Sequence, residues 1–327
     1  MKLQYRHISY GVCLLITLLF PIRTFAAQSW KAPVTINDIR LSLYADNPKL
    51  PLDPELVKMN EPSPQLAALR TRYHLVYNSM HDEKVTAIFA TPNKFAPPYP
   101  AVVLLAGSGG NKDSSYVRIA ADMMATLGYA TISIDAQYHG ERARKGMSGD
   151  FEYVYNPSMR DAWIQTVIDL RRAVDFLYSR PDIDKKRIGF LGFSQGSMVG
   201  GTFLGVEHRI TAGCLMVGGG GFVRWAEHLG ILHKGIRRAM VVNSEITDPI
   251  YFIGNFAHHP LLMLAGKRDE LIPRFATYAL YNAAKEPKQL VWFNSGHILS
   301  PDALVFNARR FFLKYLGVRK ELKNHNQ

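Results

Sequence analysis

Three residues of the sequence are of the types that together activate an oxygen nucleophile: Ser194, Asp269 and His297. A serine hydroxyl is a poor nucleophile at neutral pH, so an imidazole must take its proton and later return it to the leaving group. A carboxylate on the far ring nitrogen fixes the imidazole tautomer and stabilises the imidazolium that forms. Taken singly, each residue has a plain structural reading: a helix-capping serine, a turn aspartate, a loop histidine. Their placement argues otherwise, because each stands just after its own apolar, strand-like run. Ser194 follows Ile188–Phe193, Asp269 follows Pro260–Ala265, and His297 follows Gln289–Phe293. The set predicts acyl transfer through a covalent intermediate on Ser194, with His297 as base and Asp269 as its orienting acid.

Around the serine the sequence reads Gly192-Phe193-Ser194-Gln195-Gly196, and a small-residue helical segment from Met198 to Leu204 comes next. A strand feeding Gly-x-Ser-x-Gly and then a helix is the context of a nucleophile elbow. The turn is sharp, so small neighbours are needed for the helix to pass close to the strand.

The elements that must position these residues alternate along the chain. Arg72–Ser79 and Lys84–Thr91 read as an antiparallel hairpin across His81-Asp82-Glu83. Ala101–Ala106 is wholly apolar, as a strand buried on both faces should be. A helix over 114–127 and a strand over 129–134 follow, then a long loop from Ala136 to Asn156. Trp163, Val167, Leu170, Val174 and Leu177 recur at spacings of four and three and mark one buried helix face, with Pro157 at its start. Further strands lie over 187–193, 211–217, 260–265 and 289–293, with helices over 273–284 and from Ser300. The sum is an α/β fold: eight strands, mostly parallel, with helices on both faces. Residues 28–70, rich in proline, read as an irregular N-terminal arm before a single domain over 71–320. The 222–257 stretch breaks the alternation and reads as a lid-like insertion over the carboxyl edge of the sheet.

The stretch Asp169-Leu-Arg-Arg-Ala-Val-Asp-Phe-Leu, continuing through Arg180-Pro-Asp-Ile-Asp-Lys-Lys-Arg-Ile-Gly-Phe-Leu-Gly-Phe-Ser-Gln-Gly, resembles the corresponding part of α/β-hydrolases. The order Ser, Asp, His is also theirs. The branch it is similar to is the dienelactone-hydrolase-like, acetyl-xylan-esterase-like and prolyl-oligopeptidase-like group, over about residues 72 to 316. The resemblance implies an α/β-hydrolase fold and a serine esterase or peptidase that needs no metal or cofactor. It also implies an oxyanion hole from two backbone N–H groups. One is that of Gln195, after the nucleophile; the other lies in the Ala106-Gly-Ser-Gly-Gly-Asn-Lys112 loop and is assigned to Ser108, with Gly109 the alternative. That loop is neither a P-loop nor a dinucleotide fingerprint, since Asp113 follows Lys112 and Lys112 stands where a third glycine belongs. Two features depart from the branch: Ala106-Gly107 replaces the His-Gly of many relatives, and Ser194 replaces the cysteine of dienelactone hydrolases.

Esters, rather than peptides, are the expected small-molecule substrates, because the arm is too short for the propeller that sizes peptides in prolyl-oligopeptidase-like enzymes. A serine peptidase and a catalytically inactive binding protein of the same fold are the competing readings. His139 in the 136–156 loop and Trp225 in the insertion are the candidate substrate contacts, against the plain alternatives of loop structure and packing.

Composition narrows the setting. Lys2 and Arg6, the apolar run Ile8–Phe20 and the small residues Ala26 and Ala27 give residues 1–27 the layout of a signal peptide. Export to a periplasm or the exterior is therefore expected, with an N-terminal membrane anchor as the alternative. Beyond that segment only Cys214 remains, so no internal disulfide is expected. The formal charge of +12 is spread over many elements, which excludes a nucleic-acid footprint and leaves weak attraction to anionic membrane surfaces. His258-His259 lacks metal-ligand spacing.

Overall fold

The structure, a computed structural model, describes residues 34–150, 157–230 and 234–317. The expected signal segment and the last six residues of the 136–156 loop lie outside the described residues.

The arm is more ordered than its prolines suggest. Thr35 opens α1 (Ile36–Leu43) with a reciprocal capping box: its hydroxyl accepts from the Asp38 N–H at 3.1 Å, and the Asp38 carboxylate accepts from the Thr35 N–H at 2.8 Å. β1 (Glu55–Lys58) is a short exposed strand, and α2 (Pro64–Leu69) starts on the Ser63 cap with proline at its first position. β2 (Arg70–Asn78) and β3 (Lys84–Pro92) form the predicted hairpin, and β1 pairs antiparallel with β2. Among the described residues the sheet therefore has nine strands, one more than the sequence predicts. A four-residue edge strand with every residue exposed has no apolar periodicity to reveal it.

Beyond the hairpin the order is β4 (Tyr99–Leu105), α3 (Ser115–Thr126), β5 (Ala130–Ile134), α4 (Pro157–Ser179), β6 (Ile183–Phe193), α5 (Gln195–Val206) and β7 (Ala212–Met216). Then come α6 (Phe222–His228), α7 (Lys234–Thr247), β8 (Leu261–Gly266), α8 (Arg274–Ala283) and β9 (Lys288–Phe293), and a π-helical turn (Ala303–Ala308) leads into α9 (Arg309–Leu316). The strands lie side by side as β1-β2-β3-β5-β4-β6-β7-β8-β9, and the six from β5 to β9 in that order are parallel.

Burial on both faces explains why Ala101–Leu105 of β4 is apolar throughout. Ala101, Val103 and Leu105 of β4 join a core with the α4 residues Trp163, Val167 and Leu170. Val102 and Leu104, pointing the other way, join a second core with Met124 of α3 and Phe312 of α9. Each buried aliphatic side chain contributes roughly 1.5–3 kcal/mol, well above an exposed ion pair at about 0–1 kcal/mol.

The 222–257 stretch forms α6, α7 and two 3₁₀ turns. Much of it is core: Phe222, Trp225, Phe252, Ile253 and Phe256 are all buried. It is also tied to the arm, through an Arg40–Glu245 ion pair and the Tyr44 hydroxyl, which donates to the Ile246 carbonyl.

Candidate active site

Ser194 sits between β6 and α5 at φ 51°, ψ −118°, in the positive-φ region that costs a non-glycine residue about 1–3 kcal/mol. Its surroundings hold it there. Its N–H donates to the Met216 carbonyl at 2.9 Å, and its carbonyl accepts from the Ser197 and Met198 N–H groups at 2.8 and 3.2 Å. The flanking glycines are steric necessities: a Cβ on Gly192 would run into the Gly196 carbonyl, and one on Gly196 into the carbonyls of Leu105 and Ala106.

The loops after β8 and β9 bring the other two residues to this turn. The side chain of Asp269 is buried, and its Oδ1 accepts from the N–H groups of Leu271 and Ile272, both at 2.9 Å. His297 Nδ1 lies 3.0 and 2.9 Å from the two Asp269 oxygens, and its Nε2 lies 2.9 Å from Ser194 Oγ. A carboxylate only accepts, so Nδ1 carries the proton and Nε2 presents its lone pair to the serine hydroxyl. The two loops are laced together, with the Arg268 N–H donating to the Ser295 carbonyl at 2.9 Å. Gly266 leaves no room for a side chain against the Gly296 carbonyl.

On the opposite side of Ser194 runs the 106–112 loop. A Cβ added to Gly107 would stand 3.0 Å from the Ser194 Cβ, so the loop presses directly on the turn. The Gly107 N–H donates to the Tyr116 hydroxyl at 3.1 Å, and the Gly109 N–H donates to Asp150 Oδ1 at 3.1 Å. Of the two amides that the sequence offers as oxyanion donors, that of Gly109 is thus committed inside the protein. The Ser108 hydroxyl donates to Gln195 Oε1 at 2.7 Å, and Gln195 Nε2 donates to the Gly149 carbonyl at 2.8 Å. Lys112 anchors the end of the loop: its N–H donates to Asp135 Oδ1 at 3.0 Å, and its ammonium lies 2.6 Å from Asp135 Oδ2 and 2.7 Å from Glu141. Among the described residues no group of three or more His, Cys, Asp or Glu could hold a metal ion, and no helix is long and apolar enough to cross a membrane.

Residues 42–214 match the family model of acetyl xylan esterase (AXE1), and residues 139–305 match that of serine hydrolase (FSH1). The chain belongs to the acetyl xylan esterase family. Membership puts it among the carboxylic ester hydrolases of the α/β-hydrolase fold. An acetyl xylan esterase from a Paenibacillus species superposes with a TM-score of 0.68 at 21% identity, covering 85% of this chain and 92% of the other. Acetyl xylan esterase 1 from a Thermoanaerobacterium species gives 0.71 at 14% identity, covering 86% and 94%. These two show the shared fold. Bacillus subtilis YtaP, named as a hydrolase, is 29% identical over 139 residues, which is 39% of this chain and 46% of that protein. The match thus spans about half the length of that curated relative.

Within this family member, the two expected substrate contacts are occupied otherwise. His139 is buried, with Nδ1 3.0 Å from the Gln137 carbonyl and Nε2 2.9 Å from Asp150 Oδ1. Neither nitrogen is left for a substrate. Burial pulls its pKa down, but the hydrogen bonds to Asp150 and to the Gln137 carbonyl outweigh that and raise it above the ordinary value. Asp150 is correspondingly lowered, first by its hydrogen bond to His139. Trp225 is buried against Phe222 with ring centroids 6.5 Å apart, in the same core as Trp163. Sequence reasoning missed Asp150, Tyr116 and the Lys112–Asp135 pair. Asp135 had one visible signal, its place at the end of a strand.

Proposed function

We propose that the protein is an exported esterase that cleaves short-chain acyl esters, acetyl esters of carbohydrates first among them, through an acyl-enzyme on Ser194. His297 Nε2 takes the Ser194 proton as the hydroxyl oxygen attacks the ester carbonyl. The tetrahedral oxyanion is received by the backbone N–H groups of Ser108 and Gln195. Its collapse expels the alcohol, which takes the proton back from His297. Water, deprotonated by the same ring, then attacks the acyl-enzyme and releases the acid. Asp269 holds the ring in the Nδ1–H tautomer throughout and offsets the imidazolium charge.

The observation that carries this reading is the continuous hydrogen-bonded line from Ser194 Oγ through His297 to the buried carboxylate of Asp269, each bond about 3 Å long. The acetyl group and the carbohydrate alcohol are suggested by the names of the family and of two structural relatives. Export is supported by the charged, apolar and small-residue order of residues 1–27. The test is turnover of p-nitrophenyl acetate and of acetylated xylan by wild type and Ser194→Ala, with a fluorophosphonate label read in parallel. Loss of turnover and label in a folded variant supports the reading. Turnover persisting in Ser194→Ala contradicts it. The exported protein should begin near Ala27 or Gln28 by N-terminal mass spectrometry, and an intact Met1 in membranes contradicts export.

A further inference from the structure

Two adjacent residues of the 136–150 loop reach the oxyanion loop, Asp150 directly and Gly149 by way of the Gln195 side chain. Asp150 Oδ1 accepts the Gly109 N–H at 3.1 Å, and the Gly149 carbonyl accepts from Gln195, whose other side-chain atom accepts the Ser108 hydroxyl at 2.7 Å. Ser108 is therefore flanked by two anchors that both lead to residues 149 and 150. Gly109 lies at φ +64°, a left-handed turn that a side chain rarely adopts, so the direction of its amide depends on what receives it. We propose that the His139–Asp150 pair is the positioning device for the oxyanion loop: by fixing Gly109, it aims the neighbouring Ser108 N–H at the developing oxyanion. This rests on the assignment of Ser108 under the proposed function.

The geometry of the pair gives it a definite protonation requirement. A carbonyl faces one nitrogen of His139 and a carboxylate faces the other, and both groups only accept. Holding both needs two N–H groups, hence the imidazolium. A neutral ring holds one and releases the other. Other charged groups surround the pair. The Asp135 carboxylate, just after β5, favours the charged form of His139. Asp135 is itself held by Lys112, by the Thr86 hydroxyl and, through its carbonyl, by the Arg142 guanidinium. Glu141 bonds Lys112 and His74, and Asp150 Oδ2 receives the Ser148 hydroxyl at 3.0 Å. Loss of the His139 proton breaks the bridge between the Gln137 carbonyl and Asp150 and leaves the carboxylate to the Ser148 hydroxyl and the Gly109 N–H, so its hold on that amide loosens.

A positioning role predicts a specific kinetic signature, because an oxyanion donor acts only once charge develops. Asp150→Ala should lower kcat at least about tenfold while KM stays within about twofold. The inhibition constant of phenylboronic acid, which places a tetrahedral oxygen in the hole, should rise in parallel. Asp150→Asn keeps an oxygen for Gly109 and should recover most of the loss. Ser194→Ala is measured beside them. If it remains active, the underlying reading fails by itself. If it is inactive while folded Asp150→Ala keeps wild-type kcat and boronate affinity, the positioning proposal is overturned. His139→Gln covers the case in which Asp150→Ala does not fold, since glutamine offers one N–H to Asp150 at every pH. The wild type should then show an alkaline fall in kcat that the variant lacks. A wild-type profile flat to high pH, or a fall that persists in His139→Gln, overturns the proposal.

Discussion

On one side of Ser194 the backbone is fixed by close approach: β6, the turn and α5 come together through Gly192 and Gly196, with carbonyls where side chains would be. On the other side the 106–112 loop is fixed by polar groups: the Tyr116 hydroxyl, the Asp150 and Asp135 carboxylates and the Gln195 amide. The two sides meet over one hydroxyl yet respond to different insults. Close approach is indifferent to pH and salt and intolerant of a single added carbon. The polar side tolerates changes of size and is sensitive to every change of charge. Such a division suits a turn that must keep one strained geometry and a loop proposed to keep oxyanion donors aimed.

The largest test of this contrast is Gly196→Ala. The new carbon meets backbone on two sides, which cannot yield as a side chain can, so the cost should be roughly 3 kcal/mol or more. Thermal melting checks this; a melting temperature within a few degrees of wild type would mean the turn is not sterically locked. Next comes Lys112→Met on the polar side. It leaves Asp135, whose side chain is fully buried, without its cation, at a cost of about 3 kcal/mol. Denaturant unfolding measures it, and activity at saturating substrate should fall with it, because the 106–112 loop loses its anchor. An unchanged stability would remove the electrostatic half of the comparison. The smallest effect is expected of Tyr116→Phe. It deletes the acceptor of the Gly107 N–H while the ring still packs edge-on to Phe193, 5.1 Å between centroids. The expected loss is about 1 kcal/mol in stability and a few-fold in kcat. An effect as large as that of Lys112→Met would show that Tyr116 does more than receive one amide.

The same division decides what could be read from the sequence. Close approach leaves a local signature, since Gly192-x-Ser194-x-Gly196 is a contiguous word, and Asp269 and His297 each stand a fixed step beyond an apolar run. The wholly apolar β4 and the four-and-three spacing along α4 gave the layers for the same reason: burial on one helix face or on two sheet faces imposes a period. The polar supports leave none. Asp150 is 41 residues from Gly109, and nothing about an aspartate in a loop names its partner. His139 looked like a substrate contact because an imidazole near a site suggests chemistry, whereas both of its nitrogens serve the loop. The arm held signals that its prolines obscured: Thr35 with Asp38 is a capping box, and Ser63-Pro64 is a helix start. Trp225 likewise turned out to pack beside Phe222, because an aromatic in an irregular stretch is as useful to a core as to a lid.

The central claim is that an acyl group passes through Ser194. Acid-quenched mass spectrometry during turnover of an acetyl ester tests it most directly, with the wild type and His297→Ala each sampled in the first turnovers and digested. Wild type should carry one acetyl group on the peptide containing Ser194, appearing together with a burst of released alcohol. His297→Ala should accumulate acetyl group and alcohol far more slowly, as a serine without its base must. Acetylation on any other residue, or turnover at full rate with Ser194 never modified, would contradict it.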